Sequence, residues 1–130
     1  MSLPENLTDI ILVASGAVLG ANTRFLIYTK LEKINVNKNY IIMLINTFSS
    51  FCLGLFLSFL SQNSRAIYSD QLGLFFSIGL LGSLSTFSTF IYDLFDLFIK
   101  FKLYKALKLF MISLTAGILS FAFGFLVRIA

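Results

Sequence analysis

Four long apolar stretches occupy nearly all of this 130-residue chain. An α-helix needs about 20 residues to cross the roughly 30 Å of hydrocarbon in a bilayer, and each stretch is at least that long. Hydrophobic residues make up 58% of the chain and charged residues only 12%, so a soluble domain could not cover its apolar surface. The sequence therefore predicts an all-α membrane protein, a single domain over residues 1–130. Its four transmembrane helices are expected at about residues 7–28, 39–60, 72–98 and 103–127.

The third stretch contains a run of glycine and hydroxyl residues, residues 79–90, that does not suit the middle of a helix. Glycine weakens a helix, and the hydroxyls of Ser85 and Thr86 can cap the start of a new helix near Phe87. In hydrocarbon, every freed backbone carbonyl must find a partner or line a polar cavity. We therefore expect a third helix that is broken at mid-membrane depth, an arrangement typical of proteins that bind or transport an ion.

Basic residues are unevenly shared between the two sides of the membrane. Seven lysines flank the first and third loops, whereas the other side, with both termini and the second loop, has Arg65 and Arg128. Basic residues favour the cytoplasmic side, so this bias explains the net charge of +4 without a nucleic-acid partner. It predicts a multi-pass membrane protein in a single orientation, with the first and third loops in the cytoplasm and both termini outside. The lysines are Lys30, Lys33, Lys38, Lys100, Lys102, Lys105 and Lys108.

Small and polar residues share one face of the first span. Gly16, Gly20 and Arg24 are spaced by four, so they lie above one another on a helix. The two glycines are expected to let a neighbouring helix approach closely. Arg24 has two open interpretations: its guanidinium reaches the nearer interface, or it attracts anions to a vestibule.

The second span places Asn46, Ser50 and Gly54 on one face in the same way. Buried Asn and Ser side chains commonly bond to a neighbouring helix, and Gly54 is expected to be a packing position. The alternative is that the Asn46 amide donates a hydrogen bond to a passing anion.

The available side chains favour an anion over a cation. Acidic residues are missing from the middle of all four spans. Phe87 and Phe90 share a face, and the edges of their rings carry the positive part of the aromatic quadrupole. Freed carbonyls at the helix break would instead suit a cation such as Na⁺. The fourth span adds a small stripe for which helix packing is the default role: Ser113, Gly117, Ser120 and Gly124.

Three motifs of this chain resemble those of the Fluc (CrcB) fluoride channels, and the resemblance covers essentially the whole chain. They are residues 16–25 in the first span, 46–54 in the second and 79–90 in the third. The last is the most specific, because its final five residues match throughout. The chain departs from the motifs at Ala17, Ser49 and Ser83, where Gly is usual, and at Ser85, where Thr is usual.

The resemblance implies an antiparallel, dual-topology dimer with two symmetry-related fluoride pores, which gives passive fluoride efflux and resistance to fluoride toxicity. It also implies a structural Na⁺ at the dimer centre, held by the backbone carbonyls of Gly82 and Ser85. Ser113 is the candidate of the fourth span, and Leu109, one turn earlier, stands where a tyrosine of the pore is expected. The pore residues implied are Arg24, Asn46, Phe87, Ser88, Thr89, Phe90 and Ser113.

One departure concerns topology. Homodimers of the family insert in both orientations and have nearly balanced loop charges, but the loops of this chain are strongly biased. We therefore expect one half of a heterodimer, whose partner is a paralogue inserted in the opposite orientation.

Three other classes of protein are alternatives to a channel of this kind. A small multidrug-resistance transporter also uses four short helices, but it needs a carboxylate deep in the membrane, and Asp9 lies too near the start of its span. A membrane enzyme could use Asp93 and Asp96 as a metal pair, but the chain has no histidine and no further acidic cluster. Solvation at the interface is the expected role of both carboxylates, with Asp96 paired to Lys100. A structural subunit that shapes a partner's pore stays open.

Overall fold

All regular elements of the described residues are helices. The computed structural model describes residues 5–62, 69–85 and 87–129, and this part of the chain confirms the predicted all-α class. Arg65 and Thr86 lie outside the described residues. The elements are α1 (Glu5–Glu32), α2 (Lys38–Gln62), α3 (Ser69–Leu72), a π-helical segment (Gly73–Leu81), α4 (Gly82–Leu84), α5 (Phe87–Ile99) and α6 (Leu103–Ile129).

Four helical stretches in the described residues are long and apolar enough to cross a membrane, as predicted. They are Asn6–Glu32, Lys38–Gln62, Asp70–Ile99 and Leu103–Val127. The third combines four consecutive elements, from α3 to α5. Large apolar side chains such as Phe25 and Phe123 are about two-thirds exposed along these helices, which suits a chain whose solvent is lipid.

Tight turns connect α1 to α2 and α5 to α6, so the helices of each pair are antiparallel. Asn35 has a φ of 59° in the first turn, and Asn tolerates this left-handed conformation well. Phe101 has a φ of 56° in the second turn. The Phe101 N–H donates to the Phe98 carbonyl and the Lys102 N–H to the Leu97 carbonyl. This is a Schellman motif, with a phenylalanine at the position that glycine usually fills.

The first helix crosses the π-helical segment at two glycines. Gly16 and Gly79 face each other: a methyl group on Gly79 would lie 2.7 Å from the Val13 carbonyl oxygen, and one on Gly16 would overlap the Phe75 carbonyl oxygen. Gly20, one turn later, lies against Leu80 and Ser83 in the same way. The backbones of α1 and the third span therefore touch where any side chain would hold them apart.

The second and sixth helices cross at another pair of glycines. A methyl group on Gly54 would overlap the Phe121 carbonyl oxygen, and one on Gly124 would overlap the Phe51 carbonyl oxygen. Each glycine thus packs directly against the backbone of the opposite helix. This crossing fixes how α2 and α6 face each other on either side of the candidate site described below.

A cluster of buried apolar side chains joins α2 to the part of the third span that precedes Ser85. Ile41 is fully buried, Ile45 and Leu84 are 4% exposed, and Leu81 is 8% exposed. Together these side chains hold the end of α4 against α2. They also place the start of α5 beside the polar face of α2.

Candidate ion pore

The helical backbone of the third span changes conformation at Ser85. Helix α4 ends at Leu84, Ser85 is extended with φ −71° and ψ 151°, and α5 begins at Phe87. The Ser85 N–H donates to the Leu81 carbonyl at 3.1 Å, and the Ser85 hydroxyl donates to the Gly82 carbonyl at 3.4 Å. The last carbonyls of a helix have no backbone N–H one turn ahead of them, so this end presents hydrogen-bond acceptors.

The residues before this end, Gly73–Leu81, form a π-helix, which is absent from the predicted elements. The Gly82 N–H donates to the carbonyl of Ser77, five residues earlier, and to that of Gly79. π-Helical turns are rare and occur often at functional sites. The sequence offers a signal only in retrospect, in that Gly73 and Gly79 both fall within the segment.

A groove of about 440 Å³ gathers four of the predicted pore residues. Asn46 comes from α2, Phe87 and Phe90 from the first turn of α5, and Ser113 from α6. Ser50 also lines the groove, one turn beyond Asn46 on the same face of α2. The rest of the wall is mainly apolar: Phe110, Leu114, Gly117, Ile118 and Phe121.

Packing explains why these side chains meet. Gly117 faces Ser50, and a methyl group there would lie 3.7 Å from the Ser50 hydroxyl, an ordinary contact that leaves the groove open. Phe90 stacks on Phe110 of α6, with ring centroids 6.4 Å apart. Phe87 is 75% exposed and forms the rim. The groove thus presents an amide, hydroxyls and aromatic rings on an otherwise apolar wall.

The structure places the other predicted pore residues outside this groove. Arg24 and Thr89 line a separate cavity of about 320 Å³, together with Tyr28 and Lys38. Ser88 is exposed and lines neither space. The seven predicted pore residues therefore divide between a groove, a neighbouring cavity and the exposed surface.

A small cavity of about 90 Å³ lies between α2 and the residues expected to hold Na⁺. Gly82 and Ser85 line it from the third span, and Ser49 and Ser50 line it from α2. Ser77 lines it too, and its buried hydroxyl has no hydrogen-bond partner among the described residues. Carbonyl and hydroxyl oxygens are suitable ligands for a hard cation, so the residues present fit Na⁺ chemically. Ser50 lines both this cavity and the groove.

The two carboxylates of α5 differ from each other. The predicted pair between Asp96 and Lys100 is confirmed, with Lys100 Nζ 2.7 Å from Asp96 Oδ2, and this hydrogen bond raises the pKa of Lys100. The prediction that Asp93 is solvated is wrong, because its side chain is only 8% exposed. Lys38 Nζ lies 4.0 Å from Asp93 Oδ1. Helical spacing revealed the first pair, whereas the second joins residues that only the tertiary fold brings together.

A family model described as "CrcB-like protein, Camphor Resistance (CrcB)" matches residues 11–125. This chain belongs to the CrcB family. The resemblance seen in the sequence motifs is thereby confirmed, and the candidate groove is a feature of a CrcB protein.

Two relatives of this CrcB protein carry functional names. "Fluoride-specific ion channel FluC 2" of Prochlorococcus marinus (strain NATL2A) is 56% identical over 118 residues, which cover 91% of this chain and 95% of that protein. "Fluoride-specific ion channel FluC 3" of Methanosarcina barkeri (strain Fusaro / DSM 804) is 37% identical over 74 residues, or 57% of this chain and 54% of that protein. Both names describe ion channels, and the prediction that this chain is not an enzyme is confirmed.

Proposed function

We propose that this CrcB protein is the pore-forming subunit of a fluoride-selective channel that lets fluoride leave the cell passively and so confers resistance to fluoride toxicity. The observation that carries the proposal is the groove in which Asn46, Phe87, Phe90 and Ser113 meet. The extensive identity with a protein named as a fluoride-specific channel supports the choice of ion.

The chemistry of the groove suits a small anion that has lost most of its water. Moving such an ion into a medium of low dielectric costs on the order of 20 kcal/mol in the idealised limit, so a pore must supply donors in place of water. The Asn46 amide and the hydroxyls of Ser50 and Ser113 each carry hydrogen-bond donors. The ring edges of Phe87 and Phe90 add positive electrostatic potential without a fixed charge. Fluoride therefore moves between weak sites, each of which it can leave again.

The groove is open along one side of the subunit, so a second subunit is needed to enclose the ion. Phe87 at its rim is 75% exposed, and α6 carries exposed apolar side chains such as Leu119 and Phe123. In an antiparallel dimer of this chain and a related subunit, approximate two-fold symmetry gives each subunit its own copy of the groove. The proposed complex therefore has two pores, one for each copy of the groove.

The carbonyls of Gly82 and Ser85 are the proposed ligands of a structural Na⁺ at the centre of that dimer. The helical segment that ends at Leu84 has the negative end of its dipole here, and this negative end stabilises a cation. When bound, Na⁺ would offset the repulsion between the partial negative charges of carbonyl oxygens from the two subunits. The Ser77 hydroxyl, buried in the adjoining cavity, adds a further neutral oxygen near the site.

The loop charges support a heterodimer with an oppositely oriented paralogue in the inner membrane of a bacterium. The seven lysines in and beside the first and third loops hold those loops in the cytoplasm, so one orientation of this chain dominates. An antiparallel partner must then be a second polypeptide. Purified alone into liposomes, this chain is expected to conduct fluoride poorly. Full flux from a cross-linked antiparallel homodimer would refute the heterodimer.

Fluoride release from proteoliposomes tests the proposed function. Vesicles that contain the assembled complex and are loaded with potassium fluoride should release it to a fluoride electrode once a potassium ionophore removes the opposing voltage. Vesicles loaded with potassium chloride should retain it. Vesicles as tight to fluoride as protein-free ones would contradict the proposal, and equal release of both halides would contradict its selectivity.

A further inference from the structure

Asp93 is a buried carboxylate that the proposed conduction path does not use. It follows Phe90 by three residues and Thr89 by four, so it lies one helical turn beyond them on α5. Its side chain is 8% exposed. A carboxylate removed from water is costly unless it is paired, and an unpaired one beside an anion pathway would repel the anion.

Lys38 supplies the pairing charge from the first residue of α2. Its Nζ lies 4.0 Å from Asp93 Oδ1 and 5.4 Å from the centroid of the Tyr92 ring. The side chain of Lys38 is 47% exposed and lines the cavity that also contains Arg24 and Thr89. Lys38 therefore lies between a buried carboxylate and the cavity of Arg24 and Thr89.

We infer that Lys38 is a positioning residue for anion conduction: it compensates the charge of Asp93, so that an anion in the cavity of Arg24 and Thr89 meets a net positive field. This inference deepens the proposed function and rests on it. Without Lys38 the negative charge of Asp93, one helical turn beyond Thr89, is uncompensated, which raises the barrier to fluoride at that end. Removal of Asp93 as well should lower the barrier again, because the repelling charge has gone.

The second ion pair of α5 provides a matched control. Lys100 and Asp96 lie 2.7 Å apart, but their side chains are 56% and 44% exposed and they belong to the same helix end. Exposed pairs of this kind contribute little to stability. Removal of the Lys100 charge should therefore leave conduction unchanged.

The test measures initial fluoride efflux per folded complex in proteoliposomes, over a range of fluoride concentrations. Lys38→Met should lower efflux by about tenfold or more, equivalent to at least ~1.4 kcal/mol in the barrier, and raise the fluoride concentration for half-maximal flux. Lys38→Arg, which keeps the charge, should retain most of the flux. Lys38→Met combined with Asp93→Asn should recover most of the flux, and Lys100→Met should match the wild type.

Two outcomes would overturn the inference: wild-type flux from Lys38→Met, or a double variant as impaired as Lys38→Met while it elutes as an intact complex. If Lys38→Met does not assemble, the fluoride flux of the double variant tests the inference by itself, because that variant has no unpaired buried charge and can assemble. The wild-type protein in the same series tests the proposed function separately. A wild type without fluoride flux rejects that function, whereas the ratio of variant to wild type concerns Lys38.

Discussion

Phe90 of α5 stacks on Phe110 of α6, with ring centroids 6.4 Å apart and an angle of 25° between the ring planes. This contact closes one wall of the groove that also holds Asn46 and Ser113. It fixes Phe90 more firmly than Phe87, which is 75% exposed at the rim. The two aromatic residues of the motif thus have different surroundings although they share a helix face.

Replacing either ring by an aliphatic side chain should lower fluoride flux without preventing assembly. Phe87→Ile and Phe90→Ile remove the ring edges that attract the anion, and a loss of about tenfold or more is expected for each. The measurement is fluoride efflux per folded complex, with size-exclusion chromatography to confirm assembly. Phe98→Ile, an exposed position near the end of the same helix, is the matched control and should conduct as the wild type does. Wild-type flux from both test variants would assign these rings to packing.

Arg24→Ala should weaken conduction less than the loss of either ring. Arg24 lines the neighbouring cavity rather than the groove, so its charge acts on an anion in the groove only from a distance. The remaining effect is electrostatic attraction, which salt screens over about 8 Å at physiological ionic strength. Fluoride efflux measured at low and high concentrations of an impermeant salt should show a deficit that shrinks with salt. A deficit larger than that of Phe87→Ile and independent of salt would contradict this account; Lys33→Ala, in the first loop, is the control.

Gly124→Ala should destabilise the subunit, because its new methyl group would overlap the Phe51 carbonyl oxygen of α2. Overpacking of this kind costs about 1–3 kcal/mol. Gly117→Ala on the same helix is the control, since its methyl group would lie 3.7 Å from the nearest atom, the Ser50 hydroxyl. Thermal unfolding in detergent should show a lower transition temperature for the first variant and no loss for the second. Equal transition temperatures would mean that α2 and α6 do not cross at these glycines.

Phe101→Gly should stabilise the turn between α5 and α6. Phe101 has a φ of 56°, which costs a residue with a β-carbon about 1–2 kcal/mol and costs glycine nothing comparable. Phe101→Ala removes the same ring but keeps the β-carbon, so it should give no gain. The transition temperature of Phe101→Gly should therefore exceed that of both the wild type and Phe101→Ala. A value below that of Phe101→Ala would show that the left-handed conformation is not strained.

The architecture followed from the sequence because span length and apolar content depend on local composition alone. The groove followed in part. Helical spacing put Asn46 beside Ser50 and Phe87 beside Phe90, and the resemblance to the CrcB channels added Ser113 as the candidate of the fourth span. Spacing along one helix could not show that Arg24 lies in a separate cavity, since that depends on how α1 packs against its neighbours.

Other features required the tertiary fold. The pairing of Lys38 with Asp93 joins α2 to α5, and nothing local to either residue distinguishes a buried carboxylate from a solvated one. The π-helix depends on hydrogen bonds shifted by one residue, such as that from the Gly82 N–H to the Ser77 carbonyl. Residue propensities do not separate that pattern from an ordinary α-helix.

The central claim is that fluoride passes through the groove, and chemical modification of one groove residue tests it most directly. In a Cys52→Ala background, which removes the native thiol, Ser113→Cys places a single thiol in the groove. Ser120→Cys, on the same helix, places it in a different groove beside Thr47 and is the control. Fluoride efflux is measured before and after a methanethiosulfonate reagent, with the extent of modification read by mass spectrometry. We predict that modification at position 113 removes at least half of the flux and that modification at position 120 leaves it unchanged; unaltered flux after complete modification at position 113 would contradict the account.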